Sequence, residues 1–363
     1  MKRVLVVDDS LVARQLLTHI LSGDPTLTVV GTARDGLEAL QKTTQLRPDV
    51  VVMDTNMPHM DGFAATREIM SSTAVPIVIV SAAWDADSIE TTFRAMEAGA
   101  LAVLRKPPGP NHPDYVRQAD ELTQVVRTMS EVKVVTRHRN AARHQMPRTQ
   151  PTLERPLRHR LAPVEVVAIG ASTGGPVVLQ TILSALPPDF PVPILVVQHI
   201  ATGFLAGMLD WLSHRSTLPL HIASDGQAAQ PGHVYFSPNG FHLGIDHRRR
   251  LTLTQGEPQT RLCPSVSHLF DSVLAAFGHQ AVGVLLTGMG KDGAAELKKL
   301  RSAGAFTIAQ DAHTSVVHGM PGAAIALDAA AWVLPDSEIA SRLVQIVGTI
   351  ARPSPREEVP PNV

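Results

Sequence analysis

Short, predominantly apolar runs recur along this chain, each followed by a stretch of helical periodicity. In the first third they are Val4–Val7, Leu27–Val30, Val50–Met53, Ile77–Val80 and Leu101–Leu104. A run this short, with no polar face, belongs to a strand covered on both sides, hence to a parallel sheet between layers of helices. Between the first two runs, Leu11, Leu16, Leu17, Ile20 and Leu21 share one helical face. Tyr115, Leu122, Val125, Val126 and Met129 make another, which predicts a helix from Asp114 to Val132. Five such strand–helix units make a doubly wound domain over residues 1–130.

The rhythm resumes at Val164, with strands expected at Val164–Ile169, Ile194–Val197, Val282–Leu286, Phe306–Ala309 and Trp332–Leu334. Between Leu220 and Thr254 it breaks into Val234–Ser237, Pro238-Asn239-Gly240, Phe241–Ile245 and Arg250–Thr254. Turn residues between such short runs are hairpin chemistry. The expected class is therefore α/β: two doubly wound parallel-sheet domains, the second (164–350) with an antiparallel hairpin portion. At roughly 150 residues per domain, 363 residues suit two domains.

Composition separates the two. From Glu131 to Pro163 eight basic residues (Lys133, Arg137, Arg139, Arg143, Arg148, Arg155, Arg158, Arg160) face two acids, with four prolines interspersed. Residues 131–163 read as a solvated linker, or more sharply as a strip that docks on an acidic surface. The proline-containing tail, 351–363, is expected to be disordered. Overall the charges nearly cancel, 32 basic against 33 acidic, so nothing advertises nucleic-acid binding. The single cysteine, the N-terminus without a long apolar segment and the lack of any membrane-length apolar stretch point to the cytoplasm.

Polar residues at the strand ends carry the chemistry. Asp8 and Asp9 follow the first run, Asp54 the third, Ser81 the fourth and Lys106 the fifth. In a parallel sheet these ends converge on one edge. Three carboxylates crowded there call for a divalent cation, and oxygen ligands suit Mg²⁺. A carboxylate beside a metal and an ammonium is a competent phosphoryl acceptor, with Ser81 and Lys106 placed to hold the new phosphoryl oxygens.

Residues 1–130 resemble the receiver domain of bacterial response regulators. The resemblance rests on Asp8-Asp9, on Asp54 with Met57-Pro58-His59-Met60-Asp61-Gly62, on Ser81-Ala82 and on Lys106-Pro107. It implies that Asp54 is the phosphorylation site. It also implies that Asp9, Asp54 and the backbone carbonyl of Asn56 hold Mg²⁺, with Asp8 acting directly or through water. A sensor histidine kinase would be the phosphodonor. Val103 stands where many receivers have a switch aromatic, so the signal would travel by another repacking.

A second set begins at Gly170-Ala171-Ser172-Thr173-Gly174-Gly175-Pro176, which follows a strand and enters a helix. Gly-x-Ser-x-Gly suits a tight turn that exposes a nucleophilic hydroxyl near backbone N–H donors. The same glycines also suit phosphate or nucleotide binding. A serine needs a base and the base an orienting acid. His199 follows the strand ending at Gln198, and Asp292 follows another within Thr287-Gly288-Met289-Gly290-Lys291-Asp292-Gly293. The order Ser, His, Asp is not that of the α/β-hydrolases. Cys263 reads as a small buried hydrophobe, and the pairs His242/His247 and His313/His318 lack zinc-motif spacing.

Residues 164–350 resemble the catalytic domain of chemotaxis protein-glutamate methylesterases. The matching stretches are Gly170–Pro176, Gln198-His199, Pro264-Ser265-Val266, Thr287–Gly293, Ala309-Gln310-Asp311 and Gly319-Met320-Pro321. The resemblance implies Ser172 as nucleophile, His199 as general base and Asp292 as orienting acid. Backbone N–H groups of Thr173 and Met289 would line the oxyanion site, and this half would use no cofactor. The substrate would be a methylated chemoreceptor, with deamidation of receptor glutamines as a second outlet. His318 replaces the aromatic that usually precedes Gly-Met-Pro; it reads first as a packed or solvated histidine and, as the alternative, as a change in substrate fit. Two other classes stay open: a non-enzymatic regulator whose output domain binds a nucleotide or partner, and a signal-controlled hydrolase of small esters.

Overall fold

Val50–Asp54 and Ile77–Ser81 are buried at every position. Only a strand with helices against both faces hides both sets of alternating side chains. The computed structural model describes residues 1–81, 94–132, 134, 163–200, 203–256 and 262–348. Its first sheet is parallel, in the order β2-β1-β3-β4-β5: β1 (Lys2–Val7), β2 (Leu27–Ala33), β3 (Val50–Asp54), β4 (Ile77–Ser81) and β5 (Ala102–Arg105). On one face lie α1 (Leu11–Ser22) and α4 (Tyr115–Met129), packed through Leu17, Leu21, Leu122 and Val126. On the other lie α2 (Gly36–Leu46) and α3 (Gly62–Ser72), packed through Ala39, Phe63 and Ile69.

The second sheet has seven parallel strands in the order β14-β13-β12-β6-β7-β9-β8. They are β6 (Val166–Ala171), β7 (Ile194–Gln198), β8 (Leu220–Ile222), β9 (Val234–Phe236), β12 (Ala281–Leu285), β13 (Phe306–Gln310) and β14 (Trp332–Leu334). Helices α5 (Gly175–Ala185), α6 (Leu205–Ser213) and α10 (Asp336–Gly348) cover one face. The other is covered by α7 (Val266–Phe277), α8 (Ala294–Ser302), α9 (Met320–Ala326) and a separate antiparallel hairpin, β10 (Phe241–Ile245) with β11 (Leu251–Gln255).

Three details depart from the sequence reading. β6 starts at Val166, because Glu165 stays at the rim with its carboxylate on Arg249. β8 has only three residues, none fully buried, and carries His221, so no apolar run announces it. β9 joins the parallel sheet, and the Pro238-Asn239-Gly240 turn leads the chain out of that sheet instead of folding it back. The reversal that makes the hairpin lies at Asp246–Arg250, where Arg249 takes φ 58°. Most of the linker (133 and 135–162) and the tail, 349–363, fall outside the described residues. No helix among the described residues is long and apolar enough to cross a membrane.

Candidate active site and phospho-acceptor pocket

β6 lies between β12 and β7. The chain runs outward from β6 to β7 and later returns on the other flank as β12. Strand order therefore reverses at β6, which is where open α/β sheets place a ligand crevice. Ala171 pairs with Gln198 across β6 and β7. Ser172 and His199 thus leave neighbouring strands, about 4.8 Å apart, at the same level. The N–H of His199 donates to the Ala171 carbonyl at 3.0 Å, and that of Ser172 to the Thr287 carbonyl at 3.0 Å. On the β12 side the backbone of Gly288 abuts the serine, since a Cβ there would come within 2.6 Å of Ser172 Cβ. Ser172 does not itself take a positive φ. The left-handed residue of this turn is Gly174, φ 79°, which caps α5 and leaves the serine backbone unstrained.

Asp292 is held by donors from several directions. Its Oδ2 lies 3.0 Å from His199 Nε2 and accepts the Val266 N–H at 2.7 Å. Its Oδ1 accepts the Ser265 hydroxyl and the Ser267 N–H, each at 3.0 Å. The two side chains are only 14% and 12% exposed. Burial alone would raise the Asp292 pKa. The hydrogen bonds from His199, Ser267 and the backbone N–H groups outweigh it and hold the carboxyl well below the usual range. An ionised carboxylate on Nε2 fixes the tautomer that carries its proton there, leaving Nδ1 as the acceptor.

Thr287 joins the surrounding turns. Its buried hydroxyl accepts the Val317 N–H and has the carbonyls of Thr173 and Val317 at 3.0 and 3.2 Å as acceptors for its one proton. Met289, 43% exposed, sits at the rim between Gly288 and Gly290. His318 is half-buried beside Gly288, with Nδ1 3.3 Å from the Ser315 hydroxyl. Burial pushes its pKa down, against the pull of Asp311.

At the edge of the first sheet, carboxylate oxygens of Asp8, Asp9 and Asp54 lie within 4.8 Å of one another. Lys106 Nζ reaches Asp8 Oδ2 at 2.7 Å and Asp54 Oδ1 at 3.2 Å. Arg14 donates to the carbonyls of Asp8 and Asp9 and so fixes the acidic turn from behind. Ser81 is buried, 3.5 Å from the Thr55 hydroxyl, while Asn56 is exposed beside the pocket. Val103 is half-buried against the α2/α3 face. All three carboxylates offer oxygen atoms, two from buried residues, and this donor set fits a hard divalent cation.

Burial pushes the Asp54 pKa up; Lys106 opposes this and Asp8 adds to it. A carboxyl raised above its unfolded value, about 3.9, carries a charge penalty that appears as pH rises through the folded value. Asp54→Asn is therefore expected to melt above wild type at pH 7 in EDTA, with the gain shrinking toward pH 4. Millimolar Mg²⁺ should stabilise wild type selectively and reverse the order. Differential scanning fluorimetry checks this, and a lower Tm for the variant at pH 7 in EDTA would contradict it.

Of the residues set aside, Cys263 is half-buried and burial pushes its thiol up, away from a reactive thiolate. His242 stacks on His268 with centroids 5.0 Å apart. Three groups of this region carried no role in the sequence reading: the donors at 265–267, Thr287 and Gln198. Ser265, Thr287 and Gln198 stand inside the motifs, but nothing in the spacing says what their side chains reach.

Comparison with known proteins matches residues 4–113 to the response regulator receiver domain and residues 167–343 to the CheB methylesterase family model. The chain is 51% identical over 351 residues to a protein-glutamate methylesterase/protein-glutamine glutaminase of Syntrophus aciditrophicus, covering 97% of this chain and 100% of that one. It is 49% identical to a similarly named protein of Nitrosospira multiformis, over 96% of this chain and 97% of the relative. Among solved structures it is similar to the CheB methylesterase catalytic domain of Thermotoga maritima, at 36% identity and TM-score 0.49, over 51% of this chain and 100% of that one.

Proposed function

Because the chain belongs to the CheB methylesterase family and carries a response regulator receiver in front, we propose that it hydrolyses glutamate γ-methyl esters on a chemoreceptor under control of phosphorylation at Asp54. The observation that carries the reading is the His199–Asp292 pair, 3.0 Å apart, with His199 at the end of the strand on one side of Ser172 and Asp292 in the turn that follows the strand on the other. His199 Nδ1 takes the hydroxyl proton as Ser172 Oγ attacks the ester carbonyl, and Asp292 stabilises the imidazolium. The oxyanion rests on the N–H groups of Thr173 and Met289. His199 returns the proton to the leaving methoxide, and methanol departs. Water then attacks the acyl-enzyme by the same route and frees the glutamate. A receptor glutamine enters likewise, with ammonia leaving in place of methanol. This half calls for no cofactor.

In the receiver, Asp8, Asp9, Asp54 and the Asn56 carbonyl would hold Mg²⁺, which neutralises charge on an arriving phosphoryl group. Asp54 accepts that group from a chemotaxis-type histidine kinase. Lys106 pairs with its oxygens, and Ser81 hydrogen-bonds to them. The receiver spans 1–130 and the esterase 164–350, in the cytoplasm.

The two halves touch near the serine. Val316 packs against the receiver core cluster and lies against Gly174, where a Cβ would meet it at 2.6 Å. Met96 of the receiver packs on the second core. These contacts support a receiver that covers the cleft until phosphorylation loosens the packing. A small phosphodonor with Mg²⁺ is expected to raise kcat/KM by about 5–150-fold, the range of an ordinary coupling free energy. Asp54→Ala should not respond. Equal rates with and without donor in the intact protein would remove the lid.

Methanol release from a methylated receptor tests the activity itself. Turnover of small methyl esters but not of the receptor would assign a small-ester hydrolase. Nucleotide binding with no ester turnover would assign a binding module.

A further inference from the structure

We propose that Gln198 is a positioning residue whose carboxamide ties the backbone of Ser172 to that of His199 and so sets the approach of alcohol to imidazole. The inference rests on the esterase reading above and goes beyond the triad. Gln198 ends β7 and is 4% exposed. Its Nε2 donates to the Ser172 carbonyl at 2.8 Å and to the His199 carbonyl at 2.9 Å. One nitrogen thus spends both its protons on the carbonyls of two residues 27 positions apart in the chain. Among uncharged side chains only a primary amide donates twice from one atom.

Two further observations say that the fold keeps this amide for its donors. Its Oε1 is buried with no hydrogen-bond partner. A methionine would fill similar space without stranding a carbonyl, so packing alone does not account for a glutamine here. Gly175 makes room for it: a Cβ there would lie 2.1 Å from Gln198 Oε1. Gly175 has no positive φ, so the need for glycine comes from close contacts, the tightest with this carboxamide and a second at 2.9 Å with Ala171 Cβ, and not from the backbone. Its N–H donates to the same Ser172 carbonyl at 2.8 Å. The serine carbonyl is therefore pinned from the helix and from the neighbouring strand at once.

Without the tie, the bond between the two turns among the described residues runs from the His199 N–H to the Ala171 carbonyl, one residue below the serine. A displacement of about 1 Å between reacting groups can cost about 10²-fold in rate. Gln198→Met in the full chain keeps the volume and removes both donors. It is expected to lower kcat for methanol release by about 10–100-fold with KM within about 2-fold, since the tie orients the catalytic groups and not the substrate. Labelling of Ser172 by a fluorophosphonate probe should slow by a similar factor. Gly175→Ala, which pushes the carboxamide away, should show the same split. A purely structural role predicts loss only in proportion to unfolded protein, so each rate is normalised to the folded fraction from thermal melts.

Wild type against Ser172→Ala tests the esterase reading separately. If these two differ and folded Gln198→Met turns over and labels like wild type, the positioning role is wrong while the activity stands. If wild type neither turns over nor labels, the reading beneath it has failed.

Discussion

Ser172→Ala is expected to lower methanol release from a methylated receptor by about 10⁴-fold or more, because the proposed route needs its hydroxyl oxygen to form the acyl-enzyme. The loss should lie in kcat and leave stability nearly untouched. The backbone bonds that hold the turn involve main-chain atoms of residue 172: its N–H on Thr287, and its carbonyl beneath Gly175 and Gln198. The alanine variant keeps all of them, so its Tm should match wild type, and a receptor fragment should still bind. Retention of more than a tenth of wild-type turnover would show that the serine is not the nucleophile. A nucleotide-binding output domain predicts the opposite pattern, in which the hydroxyl matters little.

The strands were legible because a buried parallel strand has to be apolar at every position, and few other structures ask for that in four to six residues. Their polar ends were legible for the same reason: Asp54 and Ser172 each interrupt an apolar run at its C-terminal end, and His199 follows one that Gln198 ends. Legibility failed where function is carried by a side chain's aim. Gln198 stands beside His199 in the sequence, yet its reach to the Ser172 carbonyl depends on the register of β6 and β7. Ser265 and Ser267 precede Asp292 by 27 and 25 residues and meet it only through the fold. Val316 looks like any valine until it is seen to meet both the receiver core and Gly174 of the serine turn. An antiparallel portion between Leu220 and Thr254 is legible from its turn residues, but which runs pair is not, because local chemistry does not say which sheet the strand after Asn239-Gly240 joins.

Asp292→Asn should be nearly as damaging as loss of the serine, with kcat down by about 10⁴-fold and KM little changed. All four neighbours of this carboxylate act as donors: His199, Val266, Ser265 and Ser267. An amide offers one oxygen where the site asks for two. With that oxygen turned to Ser265 and Ser267, the NH₂ faces His199 Nε2, which must then become the acceptor. The ring proton moves to Nδ1, where it blocks acceptance of the Ser172 proton. With the amide flipped, Ser267 and Ser265 lose their acceptor and the 265–267 segment is released. The carboxyl's folded pKa is depressed, so its contribution to stability is present above the unfolded value of about 3.9 and is lost as pH falls through the lower folded value. The Tm gap between wild type and Asp292→Asn should therefore be widest near neutrality and close on acidification. A variant within ten-fold of wild-type kcat would mean that His199 takes its tautomer from another partner. A Tm gap that does not change with pH would mean that the carboxylate is not the charge that holds residues 265–267.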